Sequence, residues 1–234
     1  MAVPVTGVAL YDRLRAAILS LDYVPGEKLT ERGLEVDLDA SRTPIRAALL
    51  RLEADGLVRR EGRGWSVSPI DLTEIRALSE YREAVEAAAV RLAVERASDS
   101  DLLALGASLD TPSQATSEEE GIRSGSDFHA ILAQLSGNPF MAESIRGVMT
   151  RLLRTRWLEV RTPASRAHAN EEHRAIVAAL QRRDADGAAA LVIAHNRGTT
   201  ERTLGFLSEE RRRLRGRGFA IVESDPAVPR LDVV

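Results

Sequence analysis

Residues Leu29 to Val67 read LTERGLEVDLDASRTPIRAALLRLEADGLVRREGRGWSV, and this stretch decides the fold. Thr30 and Glu31 open a short helix that closes near Asp37 to Asp39. Ser41 is placed to cap the next helix, and Pro44 falls in that helix's first turn, where its missing N–H is tolerated. Leu49, Leu50 and Leu52 are expected to face the core, and Gly56 ends the helix. Leu57 to Arg60 and Trp65 to Val67 then read as two small strands around the tip Glu61-Gly62-Arg63-Gly64. Helix, turn, helix and glycine-tipped hairpin make a winged helix-turn-helix. Ser41-Arg42-Thr43-Pro44-Ile45-Arg46 puts hydroxyls and guanidiniums at the exposed N-terminal end of its second helix, which is how a recognition helix meets DNA.

Upstream, residues 8–21 carry apolar groups at 10, 14, 17, 18 and 21, one face of a helix, and Tyr23-Val24-Pro25-Gly26 turns the chain. Downstream, Ser68-Pro69-Ile70 marks a boundary. Helical periodicity then predicts helices near 71–97, 99–109, 117–136, 138–161, 165–182 and 185–208. Asp71, Ser98 and Asp184 are candidate caps, Thr111 to Thr116 is a loop, and Gly137-Asn138-Pro139 separates two helices. The expected fold class is mainly α: a winged helix-turn-helix over 1–70, a bundle of about six helices over 71–208, and an unassigned tail over 209–234. The tail holds a basic run, 211–217, expected to be a solvated helix end. Trp65 and Trp157 are expected to pack.

The 234 residues are 44% hydrophobic but only 4% aromatic, so the core must be mostly Ala, Leu, Val and Ile, which suits close-packed helices. There is no cysteine, hence neither disulfides nor thiolate metal ligands. No apolar run approaches a membrane span, and the N-terminus lacks a signal-peptide pattern, so a cytoplasmic protein is expected. The net charge of −3 speaks against indiscriminate nucleic-acid binding. Residues 1–70 are net neutral, yet residues 41–63 carry six arginines against three acids, so positive charge is local to the proposed reading surface.

The DNA-reading candidates are Arg32, Ser41, Arg42, Thr43, Arg46, Arg63 and Gly64. Arginine forks onto guanine O6 and N7, Ser and Thr hold phosphates, and glycine permits close approach at the wing. In the helical region His129, His173 and His195 each fall in a different helix and could converge on a divalent metal. Taken singly, each is more often a core or surface residue than a ligand. Arg82 either binds an effector carboxylate as a charge-assisted fork or pairs with Glu86, one helical turn on.

Residues 9–68 resemble the DNA-binding domain of the GntR family of bacterial transcriptional regulators. Val24-Pro25-Gly26-Glu27-Lys28-Leu29 is similar to its proline-glycine turn, Ser41-Arg42-Thr43-Pro44-Ile45-Arg46-Ala47-Ala48-Leu49 to its SRTPVREAL signature, and Leu52-Glu53-Ala54-Asp55-Gly56-Leu57-Val58 to its LE.EGLV. Asp39-Ala40 stand where Gly-Val is usual, and Glu35 where a small residue is usual. Aspartate tolerates a left-handed turn, so the turn is expected to survive with poorer packing. The resemblance implies DNA contact by Arg32, Arg42, Arg46 and the wing at Arg63-Gly64.

Residues 71–208 resemble the FCD ligand-binding domain of the FadR-type members, in its smaller VanR-type form. Phe128-His129 with Ser136-Gly137-Asn138-Pro139, Glu172-His173-Arg174-Ala175-Ile176, Asp184 with Ala189 and His195, and Arg82 with Glu86 are similar to its motifs. The resemblance implies a divalent metal (Zn, Ni or Mn) on His129, His173 and His195. The family's fourth ligand, an Asp four residues before the first histidine, is replaced by Gly125. Asp127 and His168 are off-face. A three-histidine site completed by water or a carboxylate effector, or a weakened one, is expected.

The expected function is a homodimeric transcriptional regulator and repressor, not an enzyme. It would bind an inverted-repeat operator in double-stranded DNA under control of a small carboxylate. Competing readings are an architectural DNA binder with a degenerate pocket and a metal-dependent enzyme on the three histidines. The enzyme reading lacks a general base with a proton to move.

Overall fold

The computed structural model describes residues 7–110, 128–156 and 162–225. In chain order these form α1 (Gly7–Leu19), β1 (Lys28–Leu29), α2 (Glu31–Leu38), α3 (Arg42–Ala54), β2 (Val58–Glu61), β3 (Gly64–Val67) and β4 (Ile70–Asp71). There follow α4 (Leu72–Arg96), α5 (Asp99–Asp110), α6 (residues 128–135), α7 (Pro139–Arg156), α8 (Pro163–Gln181), α9 (Ala185–Gly216) and β5 (Ile221–Val222). The molecule is mainly α, with a winged helix-turn-helix at the N-terminus and helices packed behind it.

The head folds around Leu10, Leu14, Ile18, Leu34, Ile45, Leu49, Leu52, Leu57, Trp65 and Val67. Thr30 caps α2 by accepting the Gly33 N–H at 3.0 Å. Asp39 ends α2 at φ 49°, ψ 52° and returns its N–H to Glu35 O, so the left-handed turn expected of Asp39 is present. Ser41 occupies the cap position of α3 but makes no capping bond. Leu50 departs from expectation: it is 48% exposed. It lies about 200° around the helix from Leu52, so the two cannot share a face. β1 was not foreseen. Its two residues pair with β3 (Lys28 opposite Ser66, Leu29 opposite Trp65), giving the sheet order β1-β3-β2.

In the helical domain α4 and α9 pack side by side, with α8 against α9 and α5 against α8. Val90, Ala93, Leu102, Leu105, Leu132, Ile176, Leu180 and Val192 fill its core. Alanines let the helices approach closely, as the low aromatic content required. Asp71 and Asp184 cap α4 and α9 through the N–H groups of Thr73 and Gly187. The expected loop at Thr111 to Thr116, the first half of the helix predicted over 117–136, and Trp157 lie outside the described residues.

α9 runs to Gly216, eight residues beyond expectation. Its last turns bury Leu207 and Leu214 on one face and are otherwise built from Glu and Arg, which are good helix formers. The chain then doubles back. β5 pairs in parallel with β4, Ile70 opposite Ile221. Ala220 accepts the Ile70 N–H at 2.9 Å and donates to Pro25 O at 2.7 Å. Gly26, at φ +89°, leaves room for it: a Cβ there would lie 2.4 Å from the Ala220 methyl. Phe219 and Ile221 are buried with Ile70, Leu72 and Ile75. Arg154 of α7 donates to the carbonyls of Ser68 and Pro69, and Arg151 pairs with Glu74 at 2.9 Å. The segment joining head and bundle is therefore held by α7 on one side and the tail on the other.

Candidate functional site

Two sites carry the chemistry singled out in the sequence. On the head, Arg32, Ser41, Arg42, Thr43, Arg46 and Arg63 are all exposed, and Gly64 is half-buried. Arg42, Thr43 and Arg46 lie in the first turns of α3 because Ile45, Ala48 and Leu49 face inward. The wing turn rests on Gly62, at φ +59°, rather than on Gly64. Gly64 begins β3 opposite Glu61, and a Cβ there would meet nothing closer than 3.6 Å. Arg60 lies over buried Trp65, 4.3 Å from the ring centroid, so this tryptophan packs.

Arg42 and Arg46 do not stand alone. Arg42 Nε donates to Glu35 Oε1 at 3.1 Å and lies 3.9 Å from Glu31. Arg46 Nε lies 3.2 Å from Glu31 Oε1.

The second site lies inside the bundle, where α4, α6, α8 and α9 meet. His129, His173 and His195 are 0–4% exposed, and one nitrogen of each lies within 4.8 Å of the other two. His195 Nε2 is 3.3 Å from both His173 Nε2 and His129 Nε2. His173 stacks on Phe128, with centroids 4.0 Å apart.

Two carboxylates orient the rings. Glu86 Oε2 lies 2.9 Å from His129 Nδ1, and Glu172 Oε2 lies 2.7 Å from His195 Nδ1. Burial raises the pKa of Glu86, but the charge of Arg82 and the contact with His129 outweigh it and hold the group well below the usual carboxylate range. Glu172 is lowered for similar reasons: burial opposes, while the bond from His195 and the charge of Arg202 prevail. Ionised carboxylates only accept, so both histidines carry their proton on Nδ1. Burial, partly offset by Glu86, pushes His129 down to about 3. Its Nε2 is then a lone pair directed at the other rings.

This donor set fits a divalent metal. Nε2 lone pairs facing one another need a proton or a cation between them. Metal–nitrogen bonds of about 2.0–2.1 Å in tetrahedral geometry separate ligand nitrogens by roughly 3.3 Å, the spacing of His195 Nε2 from each of the other two. A carboxylate behind a ligating imidazole is the usual supporting arrangement. His168 is exposed and pairs with Glu172 at 3.1 Å, apart from the cluster. Gly125 and Asp127 lie outside the described residues.

Arg82 is 2% exposed. Its Nε donates to Glu86 Oε1 at 2.8 Å, and its Nη2 lies 3.1 Å from His129 Nε2. Of the two alternatives read from the sequence, the pair with Glu86 is present, and Arg82 also lies beside the histidines. One further residue was missed as part of this site. Glu172 is sequence neighbour to His173 but serves His195. Asn196 is fully buried, and neither its Oδ1 nor its Nδ2 is bonded to protein, an arrangement that costs about 1–3 kcal/mol unless water or a ligand satisfies it. A separate cleft of about 500 Å³ lies between α3, α4 and α7, lined by Asp55, Glu74, Tyr81 and Arg151. It includes none of the histidines.

Comparison with known proteins agrees with both halves. The model for "Bacterial regulatory proteins, gntR family" matches residues 6–67. The model for the FCD domain matches residues 77–198, more than half the chain. The protein belongs to the GntR family. As a GntR-family chain with an FCD domain it is a DNA-binding transcriptional regulator. It is 33% identical over 180 residues to the Nta operon transcriptional regulator of Aminobacter aminovorans, spanning 76% of this chain and 84% of that one. It is 26% identical over 190 residues to the HTH-type transcriptional repressor RspR of Escherichia coli K12, spanning 80% and 83%. Among solved structures, E. coli McbR/YncC shares the fold, with a TM-score of 0.68 at 22% identity over 90% of this chain and all of that one. No helix among the described residues is long and apolar enough to cross a membrane.

Proposed function

We propose that this GntR-family regulator is a homodimeric repressor whose operator binding is set by a small carboxylate bound beside a divalent ion in the bundle. The convergence of three histidine nitrogens next to buried Arg82 carries this reading. His129, His173 and His195 would hold the ion, which supplies an open coordination position for a ligand oxygen. The missing fourth protein ligand leaves that position to water or to the effector. Arg82 Nη2 lies 3.1–3.2 Å from both ring nitrogens of His129, so its guanidinium would stand beside a carboxylate held at the ion and could fork onto it. On the head, Arg32, Ser41, Arg42, Thr43, Arg46 and the wing at Arg63-Gly64 face DNA. Two heads in a symmetric dimer read an inverted repeat. Coupling between the sites requires that the carboxylate bind DNA-competent and DNA-incompetent arrangements differently.

Metal analysis of protein purified without chelator tests the bundle site. About one divalent ion per chain is expected in the wild type and a large loss in His173→Ala. Thermal-shift titration with a panel of small mono- and dicarboxylates should give a stabilising acid that Arg82→Ala no longer recognises. Metal-free wild type, together with an unchanged carboxylate response in Arg82→Ala, would overturn it.

A further inference from the structure

We infer that Glu35 and Glu31 of α2 are positioning residues that set the specificity of the recognition helix, Glu35 by accepting a hydrogen bond from Arg42 Nε and Glu31 by an ion pair with Arg46. The inference rests on the reading of α3 as the base-reading helix.

Glu31 and Glu35 are four apart on α2, and Arg42 and Arg46 are four apart on α3, so each pair shares one helix face. The turn at Asp39 brings these faces together. Arg42 Nε bonds Glu35 Oε1 at 3.1 Å and lies 3.9 Å from Glu31, while Arg46 Nε lies 3.2 Å from Glu31. Both arginines remain about 60% exposed, the two glutamates about a quarter. Among the described residues, neither arginine hydrogen-bonds protein through its Nη groups.

Two consequences follow from the geometry. First, a guanidinium fixed through Nε keeps Nη1 and Nη2 as its outward fork. That end-on pair matches guanine O6 and N7, whereas the side-on pair through Nε is already taken. The carboxylates thus select one mode of base contact and reduce the side-chain freedom lost on binding. Second, two carboxylates beside two guanidiniums leave this part of the reading face nearly neutral. Phosphate attraction, which is blind to sequence, is reduced, so the arginines favour base edges over backbone. Surface ion pairs add little to stability, so the device acts on DNA recognition rather than on the fold. Glu35 is the distinctive member, since a small residue there would leave Arg42 with Glu31 alone at 3.9 Å.

The test uses the full chain and a duplex library with a randomised core. The wild-type consensus duplex and a random-sequence duplex are then titrated across a salt series with wild type, Glu35→Ala, Glu35→Gln and Arg42→Ala. Glu35→Ala is expected to tighten binding to the random duplex several-fold and steepen the log–log salt slope by about 0.9 per head. It should also lower the consensus-to-random ratio at least fivefold, with an unchanged melting temperature. Glu35→Gln retains an acceptor for Nε, so it should show the steeper slope while keeping most of the ratio. A wild-type ratio and slope in Glu35→Ala, with both lost in Arg42→Ala, overturns the role of Glu35 and leaves the recognition helix standing. A wild-type ratio in Arg42→Ala overturns the recognition-helix reading itself.

Discussion

Replacing Glu86 by Gln isolates the charge that organises the bundle interior. The substitution keeps volume and one acceptor oxygen, so no cavity forms and His129 retains a partner. What changes is the environment of Arg82. Its guanidinium is 2% exposed, and its only acidic partner at bonding distance among the described residues is Glu86, itself fully buried at 2.8 Å. Removing one member of a buried ion pair costs about 3–5 kcal/mol, because the remaining charge is stranded out of water. Replacing both members by apolar groups of similar volume is often neutral or stabilising by about 1–4 kcal/mol. Glu86→Gln should therefore lose about 3–5 kcal/mol, and Arg82→Met/Glu86→Leu should recover most of it. The assay is urea unfolding by linear extrapolation, with chelator present throughout so that metal binding does not add to the stability. A Glu86→Gln chain within about 1 kcal/mol of wild type, or a double variant no more stable than the single one, would refute the stranded-charge reasoning.

The remaining predictions concern the segment between head and bundle. Ile221→Ala removes a fully buried side chain from the tail strand. It should cost about 2–5 kcal/mol and speed hydrogen exchange at the Ile70 amide, which bonds Ala220 O; exchange at the wild-type rate would mean the tail does not secure the linker. Asp71 accepts from the N–H groups of Thr73 and Ser224, and these bonds lower its pKa against the opposing effect of burial. Because the folded-state pKa is the lower one, this contribution is whole above the unfolded value near pH 4 and is lost as pH falls through the folded value. Asp71→Asn should thus melt below wild type at pH 7, by roughly 0.3–1 kcal/mol for a charge at a helix N-terminus. The gap should narrow as pH falls below about 4, and a gap constant from pH 7 to pH 3 would exclude the charge as its source.

The sequence made the long elements readable because each spans several turns and ends at a glycine, proline or capping residue. Thr30, Asp71 and Asp184 cap where their side-chain chemistry placed them. β1 and β5 escaped notice because two residues carry no alternation, and β5 pairs with residues some 150 positions earlier. Leu50 was misplaced by counting leucines rather than angles. In the bundle, the histidines could be named from residue type, but their convergence depends on four helices packing together. Glu86 did leave a signal, a lone carboxylate within Ala84-Val85-Glu86-Ala87-Ala88-Ala89-Val90, where a charge must be exposed or paired. Glu172 left none: its role depends on the register between α8 and α9. The ion pairs of Arg42 and Arg46 likewise depend on how α2 crosses α3.

The most direct test of the DNA-reading claim is the ratio of affinities for the library-selected duplex and a random-sequence duplex, measured by fluorescence anisotropy at fixed salt for wild type and Arg46→Ala. If α3 reads bases from Arg42 and Arg46, the wild type prefers an inverted repeat and Arg46→Ala loses most of that preference, by about tenfold or more for a lost guanine fork in each head. An Arg46→Ala chain with the wild-type ratio would contradict the assignment of the recognition helix.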